Sequence, residues 1–80
     1  MSPLNAPVRI MDGTIIAAVE GAVDMATVSA LVQRLEYAVA AEPDRIIVDL
    51  AATSFMDSSG LHAIAHAANV LPVRSALVVR

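Results

Sequence analysis

Three features of this 80-residue chain predict an α/β domain with a mainly parallel sheet. Short β-branched runs alternate with two stretches of helical periodicity, in the order β-β-α-β-α-β. The run Ile46 to Leu50 is apolar on both faces except at Asp49, which reads as a central parallel strand covered by helices. Asp12-Gly13 separates two strand-like runs, a strong hairpin signal that adds one antiparallel partner. Both β-α-β crossovers are right-handed by the general rule for such units.

Taken in order, Val8 to Met11 reads as a short strand and Thr14 to Glu20 as its antiparallel partner, with Gly21 ending it. A helix is predicted over 25–41. Val28, Leu31, Val32, Leu35 and Val39 recur there at the spacing of one helical face, and Asp24 stands where it caps free N–H groups. Pro43 stops that helix, because proline disfavours helical geometry in the residue before it. The central strand spans 46–50. A second helix spans about 59–71, with Leu61, Ile64, Ala65 and Ala68 facing inward, His62, His66 and Asn69 facing outward, and Pro72 closing it. Ala76 to Val79 is the last strand, completing four. Residues 1–80 read as a single domain without linker or repeat. The chain stops on a strand, which leaves apolar surface or a sheet edge open to water or to a second copy in a homodimer.

Composition excludes several classes of function. The formal net charge is -3, and the five basic residues, all Arg, are scattered. No basic stripe exists to neutralise nucleic-acid phosphates. Tyr37 and Phe55 are the only aromatics, so stacking platforms for single strands are missing. With no cysteine, disulfides and thiolate metal sites are excluded. Met1-Ser2-Pro3-Leu4-Asn5 lacks the charged start and apolar core of a signal peptide, and no apolar run reaches the ~18 residues of a membrane span. A cytoplasmic location is the default.

The most informative stretch is Thr53 to Leu61, where the central strand gives way to the second helix. Amides at a helix start are unpaired and carry partial positive charge, so the junction suits a phosphate. A serine there acts as a cap, a ligand contact or a phosphorylation site.

Ile47-Val48-Asp49-Leu50 followed by Ser54-Phe55-Met56-Asp57-Ser58-Ser59-Gly60-Leu61 closely resembles the anti-sigma factor antagonists of the STAS domain family. Upstream, Gly21-Ala22-Val23-Asp24 resembles the Gly-Glu-Leu-Asp that precedes the first helix in many members. The likeness covers the chain from about Val8 to Val79. It implies a STAS-like fold lacking the usual C-terminal helix, because members continue with a further helix and usually a strand. It also implies a partner switch. An anti-sigma factor that is also a serine kinase phosphorylates the serine after the Asp, here Ser58; the unphosphorylated form binds that partner, and a phosphatase acting on Ser58 resets the switch. By residue match, Asp24, Asp57, Ser58, Ser59 and Gly60 belong to the partner surface. Two departures bear on it: Ala22 replaces the usual Glu, and His62, on the first helical turn, replaces a common Gly.

Phosphorylation adds about -1.5 to -2 charge. The helix start favours it by ~0.3–1 kcal/mol, whereas a negative neighbour ~6 Å away at an effective dielectric near 20 opposes it by about 3 kcal/mol. The main effect is therefore expected at the partner surface and not inside the domain. The bland reading of Ser58 or Ser59 as an N-cap remains compatible with this. Asp57 either orients the serine or bonds loop amides. Asp49 needs a partner within its apolar strand and is expected to bond the following loop. His62 and His66 share a helical face, but Ala63 is not the Glu of the metalloprotease motif and no third ligand suggests itself. Met11, Met25 and Met56 read as core fillers, and Gly60 as a site of close approach or a sharp turn. No nucleophile elbow, catalytic triad or Walker loop is present. No cofactor is implied, and the chain reads as the substrate of an enzyme. The alternative is a non-phosphorylated STAS subunit docking onto an ATPase, as in lipid-transport ABC complexes. A third reading is a fragment that only self-associates.

Overall fold

Asp12 and Gly13 both take left-handed backbone conformations, with φ of 47° and 80°. The pair therefore turns the chain as a tight hairpin requires. Strand β1 (Val8–Met11) returns antiparallel onto β2 (Thr14–Ala18), with Arg9 opposite Ile16. A Cβ on Gly13 would collide with the Asp44 carboxylate, and the Gly13 carbonyl accepts the Asp44 amide at 2.8 Å. The hairpin thus abuts the start of the central strand. This computed structural model describes residues 8–72 and 75–80.

The remaining elements follow in order: β3 (Gly21–Val23), α1 (Val28–Ala40), β4 (Arg45–Asp49), β5 (Thr53–Met56), α2 (Ser58–Val70) and β6 (Ala76–Val79). The main sheet has the order β1-β2-β4-β6, parallel except for the first pair. That is the expected four-stranded sheet with its N-terminal hairpin. Two strands escaped the sequence reading. β3 and β5 form a separate parallel pair, with Ala22 opposite Phe55 and Val23 opposite Met56. The second strand of the hairpin therefore ends at Ala18 and not at Glu20, and Gly21, at φ 103°, redirects the chain into β3.

Burial alternates along the strands. Ile15, Ala17, Val19, Ile46 and Val48 are buried, while Thr14, Ile16, Ala18, Ile47 and Asp49 are only partly covered. Both helices accordingly lie on one face. Leu31, Leu35 and Ala38 of α1 and Ile64 and Ala67 of α2 close the core from that side. α1 ends as Pro43 predicts: Glu42 adopts φ 51°, and its amide returns to the Val39 carbonyl at 3.0 Å.

Both helices differ in detail from expectation. α1 begins at Val28, because residues 24–27 form a hydrogen-bonded turn first. Around α2 the buried stripe is Gly60, Ile64 and Ala67, whereas Leu61 is 58% exposed and Ala65 and Ala68 face solvent. Ile64 faces inward as expected, but a glycine at the start of the stripe gave no hydrophobic signal, and Leu61 and Ala68 were assigned inward in place of Gly60 and Ala67, each one residue, about 100° of helix, too far on.

Candidate functional site

The site is built where the short β3–β5 pair meets the start of α2. Asp57 is the N-cap of α2, in extended backbone conformation, and its carboxylate accepts the Ser59 amide at 2.9 Å. The Ser59 hydroxyl also donates to that carboxylate. On the other side, the Asp57 amide donates to the Val23 carbonyl at 3.0 Å. One residue thus ties β3 to α2. These bonds hold the Asp57 carboxyl below its ordinary value of 3.8: the Ser59 hydroxyl contributes most, partial burial opposes it, and the amides of Ser59, Gly60 and Met25 add to the lowering.

The two serines therefore differ. Ser59 is half-buried with its hydroxyl engaged by Asp57. Ser58, the first residue of the helix, is exposed, at a helix start whose next amide is already taken by Asp57. The cap is Asp57, so neither serine fills the capping role considered for it. His62 is exposed one turn further along α2, on the same side as Ser58.

Gly60 differs from its expected place on the partner surface. It is buried, and a Cβ there would lie 2.7 Å from Met56 Cγ and 2.8 Å from Val23 Cγ1. Its bare backbone lets the helix start sit against β3 and β5. The close approach it permits is internal, which corrects its assignment as a partner contact.

Asp24 arrives from the other loop. Its Oδ1 accepts the amides of Ala26 at 2.9 Å and Thr27 at 3.1 Å. It captures free amides as expected of a capping carboxylate, but from within the turn, and Thr27 occupies the N-cap position without a side-chain cap bond. Thr27 Oγ1 donates to the Ala22 carbonyl at 2.8 Å and accepts the Asp24 amide at 3.0 Å. Because Val23, just before this turn, pairs with Met56 and accepts the Asp57 amide, the turn and the start of α2 lie side by side. Sequence reasoning missed Thr27 and also Thr53, whose hydroxyl donates to the Val19 carbonyl at 2.9 Å and anchors β5 to the end of β2. The only signal for Thr27 was its place between an Asp and a helical run.

Asp49 plays the structural part its apolar strand suggested. It accepts the Ala51 amide at 3.0 Å, which chiefly lowers its pKa, and meets Arg80 Nη2 at 3.4 Å. Among the described residues no three His, Cys, Asp or Glu side chains gather as a metal site, and no helix is long and apolar enough to cross a membrane.

Similarity to known structures follows the same geometry. The chain is similar to the crystal structure of an anti-sigma factor antagonist from Mycobacterium paratuberculosis, with 32% identity and a TM-score of 0.91, over 95% of this chain. It spans 65% of that protein's length. It also resembles the anti-sigma factor antagonist SpoIIAA in its unphosphorylated form, at 20% identity and a TM-score of 0.77, over 94% of this chain and 71% of that one. The crystal structure of Mglu matches at 16% identity and a TM-score of 0.76, over 91% of this chain but 18% of its own. These last two likenesses speak for the fold alone. No curated protein matches the sequence. The STAS domain model matches residues 5–79, and the chain belongs to the STAS domain family.

Proposed function

We propose that this chain is an anti-sigma factor antagonist, switched off by phosphorylation of Ser58 by the anti-sigma factor kinase it binds and reset by a phosphatase. The likeness to the mycobacterial antagonist supports the general role. The observation that carries the switch is the contrast between neighbouring serines: Ser58 is open to a kinase, and Ser59 is bound to Asp57. Asp24, Asp57, Ser59 and His62 frame the docking surface, while Gly60 supports it from beneath. The chain acts as a substrate and binding partner, not as a catalyst.

The physical logic is local. Phosphate on Ser58 places about -1.5 to -2 charge at the helix start, beside a carboxylate held ionised by its donors. The Asp57 cap and the core below are already satisfied, so the domain has little reason to rearrange. What changes is the outer surface, where bulk and charge separate the partners. A loss of about 1.4 kcal/mol is tenfold in affinity, and one desolvated, uncompensated charge exceeds that.

The test pairs the chain with a candidate anti-sigma factor kinase from the same genome. With ATP, a phosphate is expected on Ser58 alone in peptide mass mapping. Ser58→Ala should bind constitutively, and Ser58→Asp should lose at least tenfold in affinity. Unchanged binding of Ser58→Asp refutes the switch. Docking onto a transport ATPase with no phosphate gained would instead favour the scaffold-subunit reading.

A further inference from the structure

We propose that Met25 is an oxidation site through which peroxide releases the partner from the same surface, independently of Ser58. The inference rests on the partner-switch reading above. Met25 is 85% exposed, more than any other described large apolar side chain, although methionine at this position reads from sequence as core.

The residue is held in place and not merely left outside. The flanking Asp24 and Thr27 lock the turn through Oδ1 and Oγ1 bonds of 2.8–3.1 Å. The turn continues directly from Val23, whose carbonyl accepts the amide of Asp57 at 3.0 Å, and Asp57 caps α2 immediately before Ser58. A large apolar side chain carried in water by a bonded turn beside the α2 start is a contact awaiting an apolar partner surface. The other described methionines differ. Met56 is half-buried, with its side chain under Gly60. Met11 is 54% exposed, but it lies by the Asp12-Gly13 hairpin, which abuts the start of β4 at the opposite end of the sheet from the site.

The chemistry needs only a hydroperoxide. The thioether sulfur lone pair attacks one peroxide oxygen, the S–O bond forms and the O–O bond breaks. The transferred oxygen gives up its proton to the leaving hydroxide, which becomes water. Sulfur gives up two electrons and the peroxide gains them. The product is a polar sulfoxide on an otherwise unchanged turn. Burying it against an apolar partner without a hydrogen bond is unfavourable, so docking weakens while the fold persists.

The unphosphorylated chain is treated with hydrogen peroxide, mapped by peptide mass, melted, and titrated against the candidate anti-sigma factor kinase used in the test above. One oxygen is expected on Met25 before Met56, with an unchanged melting temperature and at least a tenfold loss of affinity. Met25→Leu, compared with its own untreated affinity, should lose no binding on peroxide treatment, whereas Met11→Leu should remain sensitive. Binding that survives oxidation of Met25, equal peroxide sensitivity of Met25→Leu, or a melting temperature that falls on oxidation overturns the proposal. Untreated chain and Ser58→Ala serve as the reference: if neither binds the kinase, the partner-switch reading itself fails and the oxidation switch falls with it.

Discussion

The two helices of this domain begin in opposite ways, although each has a hydroxyl residue at its start. At α1 the hydroxyl of Thr27 is consumed by the protein, donating to the Ala22 carbonyl and accepting the Asp24 amide. At α2 the capping is done by Asp57, and Ser58 is left outside it. A hydroxyl used for internal bonding holds a turn together, and a modification there would break the structure. One excluded from internal bonding is free for chemistry that leaves the fold intact. The carboxylate before each helix makes the difference: Asp24 works with its threonine, whereas Asp57 takes Ser59 and passes over Ser58.

Substitutions around the two starts break or sharpen this contrast. The largest effect is expected from Gly60→Val, which forces a side chain into Met56 and Val23 and should cost about 3 kcal/mol by overpacking; thermal or urea denaturation reads it directly. Thr27→Val keeps the shape but leaves the Ala22 carbonyl and the Asp24 amide without their partner. A loss of about 2 kcal/mol is expected, and a neutral result would show that the α1 hydroxyl is as dispensable as the one at α2. Asp57→Asn weakens the α2 cap and is expected to lower the melting temperature by less than either. It should also flatten the acid limb of the stability curve. Asp57 and Asp49 both have folded pKa values lowered from 3.8. Their contribution is therefore complete above that value and is lost as pH falls through the folded pKa. Melting temperature should decline on acidification below about 4, and less steeply in Asp57→Asn. Smallest of all, Ser58→Ala should change stability by no more than about 0.5 kcal/mol. A larger loss would mean that this hydroxyl, too, is built into the fold.

The legible and illegible parts of the chain divide on physical lines. The hairpin at Asp12-Gly13 and the stop at Pro43 were readable because backbone geometry is restricted by the residues themselves. The strands β2, β4 and β6 were readable from apolar runs bounded by turn signals. β3 and β5 were not: they have three and four residues, they carry little apolar pattern, and each is a strand only because the other, some thirty residues away, pairs with it. At the site, Asp57 and the two serines were identifiable from their order before a helical run. Which serine is engaged was not, since sequence position says nothing about where a carboxylate points.

By itself, then, the amino-acid order determined the four main strands, two helices and the strand-to-helix junction that bears the serines, because periodicity and turn chemistry act over a few neighbours. Only the tertiary structure decided that Gly60 lies inside while Leu61 and Met25 lie outside, and that the turns bearing Asp24 and Asp57 lie side by side. Those outcomes depend on how elements distant in sequence come together: α2 settles with its bare glycine against β3 and β5, and that one contact sets what the rest of the helix start turns toward water.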